Sequence, residues 1–447
     1  MSLDRYTSVF FIGIGGIGMA ALVEYFLSQN KSIGGYDLTP SDLTRSFEER
    51  GAQVLYDEEL ELLSSNFKDL ERCLVVYTPA VPNTNAWMSY FKDRGFKLYK
   101  RSEILGMITA STNCFAVAGT HGKTTTSSIL AHILSCTDLE FTAFLGGISN
   151  NFNSNYYSSG TRHSVVEADE YDRSFLKLSP DIACITSTDA DHLDIYHTPG
   201  ALKQSFVDFA RLLPHKDQLV VCNQFEFPFG TTYGEGAADF EIVNMRFEKL
   251  NSYFDLKVAD TYFKNILLPM PGKHNVYNAV AAFAMAYLQG VDSDQIIHAL
   301  KSFKGVARRF SIECDTADFV FIDDYAHHPT AISAVYEALD AAFPSKEKTL
   351  VFQPHLFTRT KDFLEDFARS ISLFDSVILL PIYPARELPI EGINSEVLLE
   401  KIRTKDKHLV EKSQLLDFVK EKSPKILITL GAGDIGLKVE PLKKALC

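Results

Sequence analysis

The stretch F-A-V-A-G-T-H-G-K-T-T-T, residues 115–126, decides how the rest of the chain is read. Its four apolar positions, 115–118, predict a short buried strand, and the apolar spacing of 127–134 predicts a helix packed on a sheet. A glycine-framed turn lies between them. Strand, glycine turn and helix start together make an anion site, because the turn's N–H groups and the helix dipole converge on one point. Gly119, Thr120, His121, Gly122, Lys123, Thr124 and Thr125 then form a candidate nucleotide-triphosphate cradle. In it the Lys123 ammonium reaches the β/γ-phosphates and the Thr124 hydroxyl holds Mg2+. Val117 stands where such a loop usually has its first glycine, and the extra glycine is Gly119. The plainer alternative is a helix start that happens to carry Gly-Lys-Thr; the strand before it and the helix after it weigh against that.

Upstream, residues 8–12 read as a first strand, followed by Gly13, Ile14, Gly15, Gly16, Ile17 and Gly18, and then by an amphipathic helix over 19–29. This is G-x-G-x-x-G between a strand and a helix, and a second strand, 32–36, ends at Asp37, where a ribose- or base-reading carboxylate belongs. Alone, the pattern says NAD-binding Rossmann domain, or a tight turn that binds nothing. A strand at 74–77 runs into the loop Thr78–Pro82, on the sheet edge where ligands collect. The domain closes near residue 107.

Downstream, V-V-E-A-D-E (165–170) is a strand tip delivering carboxylates beside the triphosphate, Glu167 among them. A buried strand at 182–186 ends in D-A-D-H-L-D (189–194), a metal or general-base candidate through His192, or else a helix cap with a solvated charge run. P-G-K-H-N-V-Y-N (271–278) precedes an Ala-rich helix over 279–288, and Asn275 there is equally a cap. The strand-rich stretch 218–268 carries no legible chemistry. After Arg308 and Arg309 in an interdomain link, strands and helices alternate: 319–322, 330–343, 349–353, 360–373, 377–382, 395–403 and 426–430. That is a second doubly wound unit. Tyr325, His327, His328, His355 and Arg359 follow its strands, on the edge where sites are built.

A chain of 447 residues exceeds one hydrophobic core, so several domains are expected. A composition of 46% apolar and 23% charged residues is that of a globular protein. The net charge of −13 argues against nucleic acid or an anionic membrane as partner. The 7 cysteines are scattered without a C-x-x-C pair, the pattern of reduced core thiols and not of a disulfide frame or zinc site. No signal-peptide pattern and no membrane-length apolar run are present, so a cytoplasmic protein without membrane insertion is expected.

Three α/β units, a dinucleotide-like turn first and a G-T-x-G-K-T loop second, resemble the Mur ligase family of ATP-dependent amide-forming enzymes. The resemblance covers the chain through A-G-T-H-G-K-T-T-T, E-A-D-E, D-A-D-H-L-D, G-K-H-N-x-x-N, R-R-F, D-D-Y-A-H-H-P and F-Q-P-H-x-F-T-R-T. It implies a Rossmann-like domain over 1–107 that binds a UDP-sugar, a central ATP-binding P-loop-type domain over 108–310, and an amino-acid-binding doubly wound domain over 311–447. It implies ATP, L-alanine and UDP-N-acetylmuramate as substrates, two Mg2+ ions with Mn2+ able to substitute, and a monomer or homodimer.

Residue by residue, the resemblance gives Gly119–Thr125 the ATP phosphates, with Lys123 catalytic. It gives Thr124 and Glu167 one metal and His192 a second. Asn275 would face adenine, Arg309 the phosphates and Asp324 the ribose. Gly13–Gly18 would cradle the UDP diphosphate instead of NAD, with Asp37 and Thr78 nearby. Tyr325, His327, His355 and Arg359 would line the amino-acid pocket, His327 and Arg359 in catalytic roles. Leu356 stands where many relatives carry a basic residue, which leaves Arg359 to hold the amino-acid carboxylate alone. Three competitors remain: a recycling ligase that attaches a whole tripeptide to the same sugar, an NAD-dependent oxidoreductase, and a non-catalytic nucleotide switch. The F-Q-P-H-x-F-T-R-T block favours the L-alanine reaction over the first. The second leaves Lys123, Glu167 and His192 without a task, and the third leaves the strand-edge cluster without one.

Overall fold

The computed structural model describes residues 3–191, 193–385 and 387–447. It forms two compact units, one of residues 1–241 and 278–299, the other of 242–277 and 300–447.

The first unit opens with a parallel sheet of β1 (Ser8–Ile12), β2 (Ser32–Tyr36), β3 (Gln53–Leu55), β4 (Cys73–Tyr77) and β5 (Leu98–Lys100), ordered β3-β2-β1-β4-β5. All five residues of β1 are buried, as expected of a parallel strand covered on both faces. Its neighbours β2 and β4 lead to opposite sides, so the crevice for a ligand opens at the end of β1, where Gly13 begins.

The same unit carries β6 (Asn113–Ala118), β7 (Phe141–Ser149), β8 (Ser154–Ser158), β9 (His163–Glu167), β10 (Ile182–Ile185), β11 (Leu219–Cys222) and β12 (Thr231–Glu235), ordered β12-β11-β10-β6-β9-β7-β8. The β6 strand lies parallel between β9 and β10, a second switch point, this time at Gly119. The following helix, Lys123–Ser135, is buried from Thr124 to Leu134, so it begins four residues earlier than its apolar pattern alone. Small hydroxyl residues at 124–128 hide that first turn from a hydrophobicity count.

Beyond β13 (Phe240–Glu248), the hairpin β14 (Asn251–Val258) and β15 (Thr261–Leu268) is antiparallel. The second unit is built on β16 (Ser311–Asp315), β17 (Val320–Asp324), β18 (Lys348–Phe352), β19 (Ser376–Leu379), β20 (Asp406–Leu409) and β21 (Ile426–Leu430), ordered β16-β17-β21-β18-β19-β20 with only β16 antiparallel. The helix expected over 360–373 is two, Phe357–Asp362 and Leu364–Ile371, separated at Phe363. The Ala-rich helix runs Lys273–Leu288, taking in the G-K-H-N block.

One expectation about cysteine is corrected. Cys314 on β16 and Cys447, directly after the helix Gly436–Leu446, are disulfide-bonded with Cα atoms 6.2 Å apart. Their separation of 133 residues hides the pair from a spacing argument. Cys73, Cys114, Cys184 and Cys222 are buried thiols, and Cys136 is an exposed one. No helix among the described residues is long and apolar enough to cross a membrane.

Candidate functional site

The phosphate-type loop is held by the strand next door. Gly119 stands at φ +126°, and a Cβ there would meet the Thr186 hydroxyl and lie 2.8 Å from Ser187 N. Glycine is therefore required twice over, by conformation and by space. Thr120 N donates to Ser187 O (3.2 Å), Thr120 Oγ1 to Asp189 O (2.8 Å), and His121 N to Ser187 Oγ (2.9 Å). Gly122, at φ +83°, is the helix N-cap, and the ladder begins only with Thr126 N donating to Gly122 O at 2.9 Å. The amides of the first turn thus face outward at the positive end of the helix dipole.

Lys123 lies in this loop with its side chain only 12% exposed. Its Nζ donates to Gly119 O (2.8 Å) and to Glu170 Oε1 and Oε2 (2.9 and 2.8 Å). Burial alone would pull the ammonium's pKa down; Glu170, Asp169 and Glu167 outweigh it and hold the pKa above the usual lysine value. Glu167, at the end of β9, packs over Gly146, and its Oε2 is buried without a hydrogen-bond partner. A buried carboxylate oxygen with no donor is costly, and a hard cation at that oxygen removes that cost. The residues present therefore fit one Mg2+ site. Among the described residues no group of three or more His, Cys, Asp and Glu side chains is arranged to hold a metal. His192, expected at a second ion, lies outside the described residues.

In the first turn the expectation narrows. Gly13 N and Ile14 N both donate to Tyr36 O (2.7 and 3.0 Å), and Gly15 N donates to Asp37 Oδ2 at 2.7 Å. The Ile14 side chain is core, at 0% exposure. What remains for an anion is the helix start at Gly16, Ile17 and Gly18, ahead of Met19 N donating to Gly16 O. Thr78 packs its methyl against Gly13, and the Arg101 guanidinium packs on Gly18. Arg101 was not expected; its adjacency to a glycine 83 positions upstream has no local signal.

In the second unit, the ends of β17, β18 and β19 gather a polar cluster. Tyr325 and His327 rings lie 5.3 Å apart, His327 and His355 6.0 Å, and His355 stacks on Tyr383 at 5.7 Å. Arg359, 8% exposed, places Nη1 3.4 Å from His355 Nδ1. His327 Nδ1 faces Tyr325 O at 2.9 Å; a carbonyl only accepts, so that nitrogen carries the proton and Nε2 is basic in the neutral ring. His328 is different in kind: buried, it caps the helix Pro329–Ala342. Leu356 sits at φ +71°, a strained setting for a branched side chain, at the turn into Phe357–Asp362. Tyr383 completes the cluster through a bridge to His355 that no motif announces.

Arg308 and Arg309 both lie over the Tyr325 ring, at 5.3 and 5.1 Å. Arg308 is committed to Asp323 (3.0 Å) and Gly431 O (2.6 Å). Asp324, 7% exposed, accepts from Phe310 N (2.7 Å) and Ala326 N (2.6 Å), and so organises its loop. Asn275 Nδ2 donates to Pro271 O at 2.7 Å and lies inside its helix, where a cap was expected.

Three family profiles cover these sites: the Mur ligase family catalytic domain over residues 8–112, the Mur ligase middle domain over 117–286, and the Mur ligase glutamate ligase domain over 308–433. The chain belongs to the Mur ligase family. It is 49% identical over 446 residues to the UDP-N-acetylmuramate–L-alanine ligase of Flavobacterium psychrophilum, covering 100% of this chain and 99% of that one. It is 42% identical to the protein of the same name from Porphyromonas gingivalis, covering 98% of each. Among solved structures it is similar to the UDP-N-acetylmuramate–alanine ligase MurC of Thermotoga maritima, with a TM-score of 0.84, 26% identity and 98% of each chain covered. The MurF ligase of Thermotoga maritima in complex with ADP shares the fold, at a TM-score of 0.62, 15% identity and coverage of 100% of this chain and 98% of that one.

Proposed function

We propose that this Mur ligase joins L-alanine to the lactyl carboxylate of UDP-N-acetylmuramate at the expense of ATP, in peptidoglycan precursor synthesis. The observation that carries this reading is the whole-length identity, 42–49%, to ligases of that name.

A carboxylate and an amine do not condense at neutral pH, because an oxide is a poor leaving group. Transfer of the γ-phosphoryl group to a carboxylate oxygen makes an acyl phosphate and ADP. The alanine nitrogen then attacks the carbonyl carbon, the C–O bond breaks, and phosphate leaves with that oxygen. Lys123 stabilises charge developing on the γ-phosphoryl oxygens. Thr124 and Glu167 would hold Mg2+, which when bound neutralises phosphate charge; Mn2+ substitutes for it. A second ion is assigned to His192. Gly119–Thr125, Asn275, Arg309 and Asp324 are the nucleotide residues, the last through lone pairs its backbone contacts leave over. Gly16–Gly18 carry the UDP diphosphate, with Asp37 and Thr78 beside them. Tyr325, His355 and Arg359 bind alanine, Arg359 pairing its carboxylate, and His327 Nε2 takes the proton from its ammonium. The domains are assigned as 1–107, 108–310 and 311–447, and the enzyme works in the cytoplasm as a monomer or homodimer.

Phosphate release from ATP with UDP-N-acetylmuramate, compared across amino acids and the tripeptide L-Ala-γ-D-Glu-diaminopimelate, tests the reading. It predicts turnover with L-alanine. Equal or faster turnover with the tripeptide would move the protein to the recycling reaction.

A further inference from the structure

The acidic block after β9 holds a buried carboxylate that this chemistry leaves without a task. Glu170 is 0% exposed, and it takes two of the hydrogen bonds of the Lys123 ammonium while Gly119 O takes another. An ammonium has three N–H donors, so the protein itself saturates the phosphate-loop lysine. The backbone that presents Glu170 is fixed. Its carbonyl accepts from Tyr196 Oη (2.6 Å) and Arg173 N (2.9 Å). Asp172 and Arg173 stand at φ 54° and 53°, left-handed settings that persist only where the surroundings impose them. Lys100 pairs with Asp172 at 2.7 Å and the Arg173 guanidinium lies 5.5 Å from the Tyr196 ring, which supplies that constraint.

We propose that Glu170 is a positioning residue that competes with the nucleotide's phosphates for Lys123. It holds the ammonium at the loop before ATP arrives, yields part of it to the phosphates, and takes it back as ADP leaves. The proposal rests on reading 119–125 as the ATP cradle. A phosphate oxygen that engages Lys123 must displace at least one existing acceptor, and a carboxylate is a stronger competitor than a neutral amide. Glu170→Gln keeps the shape and one acceptor but removes the charge. Nucleotide should therefore bind more tightly and leave more slowly, whereas loss of a merely structural residue weakens binding.

The test is calorimetric binding of ADP to the full chain as wild type, E170Q, E170D, K123A and K123A/E170Q, each checked for cooperative unfolding. E170Q should bind ADP about five- to tenfold more tightly and turn over more slowly, from the difference between charged and neutral hydrogen bonds. E170D, which keeps the carboxylate, should return toward wild type, and K123A/E170Q should bind as K123A does. Unchanged or weaker binding by E170Q, or the same tightening in the K123A background, overturns the proposal. A difference infrared spectrum of wild type with and without ADP reads the same event without a variant. A carboxylate band should shift on binding and stay put in K123A; an unshifted band in wild type overturns the proposal. If K123A binds ADP and releases phosphate as wild type does, the cradle reading fails; if K123A is impaired and E170Q is unchanged, only the role of Glu170 fails.

Discussion

At the scale of single residues, Lys123 and Asp324 show how burial is turned to opposite ends. Lys123 stays charged because three carboxylates surround it. On the proposed reading, Lys123→Ala removes a charge that matters most in the transition state. Contacts of this type are worth about 3–4 kcal/mol, so phosphate release should fall at least about a hundredfold with the fold intact. Circular dichroism together with the phosphate assay checks both halves. Asp324 is pushed the other way: burial raises its pKa to about 6 against Arg309 and two backbone N–H groups. Its folded pKa lies above the unfolded 3.8, so the folded state keeps the proton longer. The stabilisation is complete below about pH 4 and is lost as pH rises through about 6. Wild type should lose about 1 kcal/mol relative to Asp324→Asn between about pH 5 and pH 7.5, measured by urea unfolding. A flat difference would contradict the buried, proton-holding carboxyl.

At the scale of elements, glycine does different work in the strand-to-helix turn after β6 and in the helix-to-strand turn before β3. Gly119→Ala places a Cβ at φ +126° against Thr186 and Ser187, so the loop must move and phosphate release should be lost. Gly51, also left-handed at φ +89°, has nothing within 4 Å. Gly51→Ala should therefore cost only backbone strain, about 1–2 kcal/mol, with activity kept. Denaturant unfolding beside activity separates the two, and equal loss of activity would contradict the assigned geometry. The glycine turns after β1 and β6 were legible, because both strands are near-continuous apolar runs ending in glycine. The same holds for the alternation after Arg309 and for Tyr325, His327, His355 and Arg359 on one sheet edge. The helix start at Lys123 was not, since hydroxyl residues carry no apolar signal. Nor was the Glu170 contact, made across 47 residues, or Tyr383 and the Cys314–Cys447 bridge, which depend on how distant segments meet. Periodicity reports one element at a time. Amide commitment at Gly13, Ile14 and Gly15 is equally invisible to a motif, which counts glycines and not their hydrogen bonds.

At the scale of the whole molecule, ATP, a UDP-sugar and an amino acid must be handled by one chain, and selectivity follows from what each pocket can sense. Discrimination between L-alanine and glycine rests on one methyl group, so kcat/KM should differ by about 1–3 kcal/mol, a factor of roughly 10–200. Competition assays with the two amino acids measure it. A preference for glycine would contradict the assigned pocket. The central claim, that ATP activates the sugar's carboxylate and not the amine, is tested most directly by isotope. UDP-N-acetylmuramate labelled with oxygen-18 in its lactyl carboxylate is turned over with ATP and L-alanine, and the released phosphate is weighed by mass spectrometry. The account predicts one labelled oxygen in each phosphate; unlabelled phosphate with normal turnover would contradict it.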